Sequence, residues 1–127
     1  MASVTSFHLQ YRLWIAELNS DINILRIFDD YLADIATSNK TEDALKYINN
    51  CKQQFAALRK NNDELRHDMH INKMELAANA KKLDVSIKMI EKNIKHKEVK
   101  ERYKVFRKTF DRTKKDFQKF EDKLMKR

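Results

Sequence analysis

TEDALKYINNCKQQFAALRKNNDELRHDMHINKMEL, residues 41–76, carries Ala44, Ile48, Cys51, Phe55, Leu58, Asn62, Leu65, Met69, Asn72 and Leu76 at steps that alternate four and three. Side chains repeating every three to four residues share one face of an α-helix, whereas a strand requires alternation at every second position. A row this long describes a helix that is apolar along one stripe and solvated elsewhere. Just upstream, Ser38-Asn39-Lys40-Thr41 breaks the pattern that precedes it. Asn39 and Glu42 stand at capping-box spacing, and Glu42 and Asp43 place negative charge at the positive end of the helix dipole. The spacing predicts a helix over about 41–82.

The same reading extends to both sides. Tyr11, Leu18, Leu25 and Leu32 recur every seven residues, with Trp14, Phe28 and Ile35 three positions on, which predicts a first helix over about 7–37 capped by Ser6. Ile15, Ile22, Ile24 and Tyr31 broaden that stripe beyond a two-stranded seam, so this helix meets at least two neighbours. Val99, Tyr103, Phe106, Phe110, Thr113, Phe117, Phe120 and Leu124 form the last register, a helix over about 86–126. Lys123, Lys126 and Arg127 complement its C-terminal dipole. Between them, Ala80, Leu83, Ile87, Ile90 and Ile94 run one residue out of phase with the middle helix, which places a turn near Lys82 with Asp84 as a cap. Short links make sequential helices antiparallel. The expected fold is therefore all-α: one domain, residues 1–127, built as an antiparallel three-helix bundle of long helices with no β-sheet.

Composition agrees. The 127 residues include no Gly and no Pro, the residues on which hairpin turns depend and which long helices do without. Charged residues make up 36% and hydrophobic ones 42%, too apolar for a disordered chain. The net charge of +8 is unevenly placed, since residues 1–90 hold 12 Lys and Arg against 12 Asp and Glu, whereas 91–127 hold 15 against 7. A basic last helix is a candidate for nucleic acid, acidic proteins or anionic lipid, and also occurs as a plain solvated face. A single cysteine, Cys51, excludes an intramolecular disulfide and a cysteine-based zinc site within one chain, which fits a reducing cytoplasm. Residues 1–10 show neither a basic leader nor a long apolar run, and no stretch approaches the roughly 18 apolar residues of a membrane span.

Few residues suggest chemistry. Glu64 and His67 have the Glu-x-x-His spacing by which di-iron bundles present two ligands from one helical turn, in a cluster with Asp63, Asp68 and His70. A metal site of that kind needs a second such motif, which the chain lacks. The flanking Leu65 and Met69 hold the core register, so the cluster reads as a solvated polar face. Cys51 sits in register between Ile48 and Phe55, where packing is its expected role. His8 and His96 stand apart from any Ser or Cys nucleophile, and a chain without glycine cannot form a phosphate-binding Gly-rich loop. No catalytic, cofactor-binding or metal-ligating residue, no cofactor and no small-molecule substrate is expected. Asp21, Asn62, Asn72 and Thr113 interrupt the apolar stripes and are expected to pair with one another inside the bundle or to edge into solvent.

Trp14, the Gln53-Gln54-Phe55 and Glu64-Leu65-Arg66-His67-Asp68 stretches, and the Phe110, Phe117, Phe120 and Leu124-Met125 ending resemble a group of small uncharacterised bacterial helical proteins. That resemblance, over most of the chain, implies a cytoplasmic helical bundle and carries over no activity. Spectrin-like repeats share the three-helix architecture and a Trp in the first helix, and fold analogy alone assigns no function. The leading expectation is a non-enzymatic cytoplasmic protein that contacts a protein partner or a second copy of itself. It rests on the broad first-helix stripe and on Leu83, Ile87, Ile90 and Ile94, which one core does not obviously cover. The alternative is a nucleic-acid-associated protein that meets phosphates through Lys100, Lys104, Arg107, Lys108, Arg112, Lys114 and Lys115, extended upstream by Lys92, Lys95 and Lys97. The aromatic row Tyr103, Phe106, Phe110, Phe117 and Phe120 lies among these cations but at core spacing, so it is expected to fill the bundle rather than stack on bases.

Overall fold

The computed structural model describes residues 4–79 and 85–125, with side chains described over 8–75 and 95–123. Three α-helices account for them: α1 (Val4–Ser38), α2 (Glu42–Asn79) and α3 (Val85–Met125). At 1.5 Å per residue, helices of 35, 38 and 41 residues run roughly 50 to 60 Å. No strand occurs among the described residues, and the all-α three-helix bundle is the fold of this chain. Ala80, Lys82, Leu83 and Asp84, at the expected second turn, lie outside the described residues, as do the side chains of Ser6, Leu76, Ile87, Ile90, Lys92, Ile94 and Leu124.

The cap of α2 lies two residues later than the sequence suggested. Thr41, not Asn39, is the N-cap of α2: its hydroxyl Oγ1 accepts a hydrogen bond from the amide of Ala44 at 3.2 Å. Asn39 still belongs to the end of α1, where its amide donates to the Ile35 carbonyl at 2.8 Å. A cap must precede the first helical residue, and Glu42 is that residue, so Thr41 has the geometry and Asn39 does not.

Pairing across the helices fixes their directions. Phe28 of α1 meets Phe55 of α2 at 5.7 Å between ring centroids, and Asn62 of α2 reaches back to Leu18 of α1, so partners on α1 rise in number as those on α2 fall. Arg102 with Asp68 and Phe117 with Phe55 give the same opposed order for α2 and α3. Contacts of α1 with α3 advance together: Tyr11 with His96, Asp21 with Arg107, Phe28 with Phe117. Sequential helices are thus antiparallel, and α1 and α3 run parallel.

The core contains Tyr11, Leu18, Leu25, Phe28 and Leu32 from α1, Ile48, Cys51, Phe55, Leu58, Leu65 and Met69 from α2, and Val99, Tyr103, Phe106, Phe110 and Phe117 from α3. Each side chain of this size contributes roughly 1.5–3 kcal/mol on leaving water. The seams are not alike. Among the described residues α2 approaches both neighbours closely, but no Cα of α1 lies within 8 Å of one of α3. That wider gap is filled by long side chains, Trp14, Phe28 and Phe117, Tyr103 and Arg107.

Candidate functional site

Three places in the bundle concentrate chemistry: the polar seam between α1 and α3, the outer face of α3, and the outer face of α1.

The seam is organised around Arg107. Its guanidinium donates to both carboxylate oxygens of Asp21, at 3.1 and 2.6 Å, and lies 3.3 Å from Glu17 and 3.9 Å from Asp111. It also sits 5.5 Å from the ring centroids of Tyr103 and Phe110, within range of cation–π attraction. The Asp21 side chain is 4% exposed and that of Arg107 21%. Burial pushes the Asp21 carboxyl above the ordinary aspartate value, and Arg107 draws it part of the way back. Burial also opposes the Arg107 charge, but hydrogen bonds to Asp21 and Tyr103 outweigh it and raise that group. The arrangement is a shielded ion pair joining two helices, with Tyr103 donating its phenol to Glu17 at the rim.

One helical turn nearer the start of α1, Trp14 lies between His96 and Tyr103, stacked on each at 5.7 and 5.1 Å. Tyr11 Oη and His96 Nδ1 share a 2.9 Å hydrogen bond. Burial and the neighbouring Lys100 charge hold His96 below its ordinary value of 6.5, which keeps the ring neutral at physiological pH. Burial raises Tyr11, and a hydrogen bond from Asn72 partly offsets this.

Of the two placements expected for the interrupting polar residues, pairing with one another does not occur, while Asn72 and Thr113 edge into solvent. Asn62, wholly buried, donates to the Leu18 carbonyl at 2.9 Å and leaves its own Oδ1 without a partner. Asn72 and Thr113 are half-buried. The reason is height along the bundle: Asp21 is level with Arg107 and Asn62 with Leu18, so each meets what its neighbour presents there.

The seven sequence-selected cations divide by orientation. Lys100, Lys104, Lys108, Arg112 and Lys115 are exposed on the side of α3 turned from the core, the upstream Lys97 continues that row, and the structure adds Lys119 at its far end. Glu101 and Asp111 share the face, Glu101 lying 3.6 Å from Lys104. Lys114 is half-buried on the flank toward α1. Arg107 is turned into the seam, committed to Asp21. Lys95, upstream, pairs with Glu75 at 3.3 Å. The aromatic residues of the same helix are buried or, for Phe120, stacked on Tyr47 at 3.6 Å.

Glu64, His67, Asp63 and His70 are exposed, Asp63 pairs with Arg66, and Asp68 accepts from Arg102 at 2.6 Å. Among the described residues no three His, Cys, Asp or Glu side chains converge as metal ligands would. Cys51 is buried, and burial pushes its thiol above the ordinary value, away from the nucleophilic thiolate.

The outer face of α1 carries a second apolar row, of which the sequence pointed to Ile24 and Tyr31 as a broadening of the core stripe and left Leu9, Leu13 and Ile27 unnamed. Leu9, Leu13, Ile27 and Tyr31 are 57%, 60%, 53% and 44% exposed. With exposed Ala16 and Ser20 and half-buried Ile24 they form a row at steps of 4, 3, 4, 4, 3, 4, opposite the core stripe on the same helix. Single exposed apolar residues are ordinary, but contiguous patches of about a few hundred Å² mark interaction sites.

No helix among the described residues is long and apolar enough to cross a membrane. No protein-family model, curated protein or solved structure matches this chain. The class defined by the geometry is an all-α three-helix bundle with one polar seam and two distinct outer faces.

Proposed function

We propose that this protein is a non-enzymatic, cytoplasmic interaction module that docks a helix of another protein chain, its own or a partner's, on the outer face of α1. The observation that carries this reading is the second apolar row on α1, Leu9, Leu13, Ala16, Ser20, Ile24, Ile27 and Tyr31, which the bundle itself leaves exposed at every position but the half-buried Ile24. Covering those side chains recovers the same burial free energy that stabilises the core, about 25 cal/mol per Å². The buried Cys51 thiol, the neutral His96 ring and the paired Arg107 support structural rather than catalytic roles for the reactive groups. A photo-crosslinking residue placed at Ala16 tests the reading in cells: a protein adduct that disappears with Leu13→Asp is expected. Absence of any protein adduct, with the chain folded and expressed, removes the proposal.

A second reading is favoured by the outer row of α3. Lys97, Lys100, Lys104, Lys108, Arg112, Lys115 and Lys119 extend roughly 33 Å along one helix face. Such a row neutralises the phosphates of a nucleic acid without reading its sequence. It predicts oligonucleotide binding that weakens steeply with salt and is lost in Lys104→Glu/Lys115→Glu; no binding at low salt ends this reading.

A further inference from the structure

We infer that the outer face of α1 pairs with the same face of a second copy, antiparallel, about a two-fold axis at Ser20. The inference rests on the interaction reading above and names its occupant. The row is symmetric in sequence about its midpoint: Leu9 and Tyr31 are each eleven residues from Ser20, Leu13 and Ile27 seven, Ala16 and Ile24 four. When two such helices lie antiparallel with their Ser20 residues opposed, Leu9 meets Tyr31 of the other copy, Leu13 meets Ile27, and Ala16 meets Ile24. Every apolar side chain finds an apolar one, with a small residue facing a larger one near the centre. An isologous dimer interface requires this property, in which residue i contacts j and j contacts i.

Two further features agree. Steps of 4, 3, 4 repeated give a period of eleven residues, about 3.67 per turn, so the row stays nearly parallel to the helix axis over its roughly 33 Å length. The small residues at its centre, Ala16 and Ser20, let two backbones approach. Charge complementarity is present as well. Arg12 and Asp30 are both exposed and project from the same flank of the row. In the antiparallel pairing a flank meets its own counterpart, which brings Arg12 of each copy within two residues, about 3 Å along the axis, of the level of Asp30 of the other, within reach of the long Arg side chain. A parallel pairing would set this flank against the opposite flank of the other copy, and so would forgo the Arg12–Asp30 attraction. One helix face per copy buries less than about 1,200 Å² in total, the size of weak and reversible complexes.

The test uses the full chain with Cys51→Ser and a single new thiol. Sedimentation over a range of concentration is expected to show reversible dimers. Mild oxidation of the Ser20→Cys chain should give a disulfide-linked dimer at least tenfold faster than a Lys52→Cys control on exposed α2, since a disulfide needs Cα atoms about 4.4–6.8 Å apart. Arg12→Asp or Asp30→Arg alone repeats its repulsion twice by symmetry and weakens association about tenfold, and the two together in one chain restore it. Arg12, Ser20, Asp30 and Lys52 are solvent-exposed, the buried Cys51→Ser change is common to every chain compared, and unchanged helical circular dichroism checks that the variants fold. A dimer that does not link through Ser20→Cys, or in which the charge swap fails to restore association, overturns the pairing. A chain that stays monomeric at millimolar concentration overturns self-association. The Ala16 adduct then separates the two ideas: an adduct to a different protein leaves the docking reading standing, and no adduct removes both.

Discussion

Replacing Arg107 with Met is the most informative single perturbation of this bundle. The variant keeps most of the hydrophobic stem but strands the Asp21 carboxylate, whose side chain is 4% exposed, in the seam between α1 and α3. Removing one partner of a buried ion pair costs about 3–5 kcal/mol, because the remaining charge loses water without gaining a counter-ion. Against a total stability of roughly 5–15 kcal/mol this is a large fraction. With a urea dependence of about 2 kcal/mol per molar, the midpoint should fall by about 2 M. Asp21→Asn is milder, about 1–2 kcal/mol, since Arg107 retains Glu17 at 3.3 Å and partial access to water. Asp21→Leu together with Arg107→Met should return to within about 1 kcal/mol of the native chain, because a well-packed apolar pair substitutes for a buried ionic one. The pH sign follows from burial. A stranded carboxyl has a folded pKa above its unfolded value, so the Arg107→Met deficit is greatest at neutral pH and shrinks as pH falls through that raised pKa. Urea titrations followed by circular dichroism at two pH values measure all of this. A loss below about 1 kcal/mol for Arg107→Met, or single losses that simply add in the double variant, would refute the shielded pair.

Three further outcomes follow from the structure. His96 is held below 6.5, so its folded form binds protons less readily than its unfolded form. Stability present above pH 6.5 should therefore decline as pH falls, and His96→Gln should flatten that slope; emission from Trp14, the only tryptophan, reports the same protonation from its stacked position. Asn62→Leu exchanges a buried side chain with an orphaned Oδ1 for an apolar one of similar shape, so thermal unfolding should show a midpoint equal to or above that of the native chain; a clear drop would mean that the bond to the Leu18 carbonyl matters more than the orphaned oxygen. Thr41→Ala removes the cap on the Ala44 amide and should cost about 1 kcal/mol by urea titration, while Asn39→Ala should cost less than half of that.

The helices were legible because their signal is local. Alternating steps of three and four, with no glycine or proline to interrupt them, mark out the helices and the apolar rows along them whatever their neighbours are. Hence Phe55, Leu65, Phe106 and Phe117 could be placed inside from the sequence alone, and all four are buried. The cap was misplaced by two residues because Asn39 and Thr41 both have capping chemistry, and only the backbone decides where the helix begins. The candidate cations could be named but not sorted. Arg107 and Lys108 are adjacent in sequence, yet the 100° rotation between them turns one to Asp21 and the other to water.

Sequence by itself determined that this chain forms long amphipathic helices and that its positive charge gathers on the last. Tertiary structure alone decided which interactions those helices make. The meeting of Asp21 with Arg107 depends on α1 and α3 running parallel at one height, a relation set by how both dock on α2 rather than by either helix. The two apolar rows of α1 have nearly the same spacing, so periodicity cannot say which one a neighbour will cover. Burial is a property of where α2 and α3 come to rest. They cover Leu18 and Leu25, and leave Leu13 and Ile27 in water.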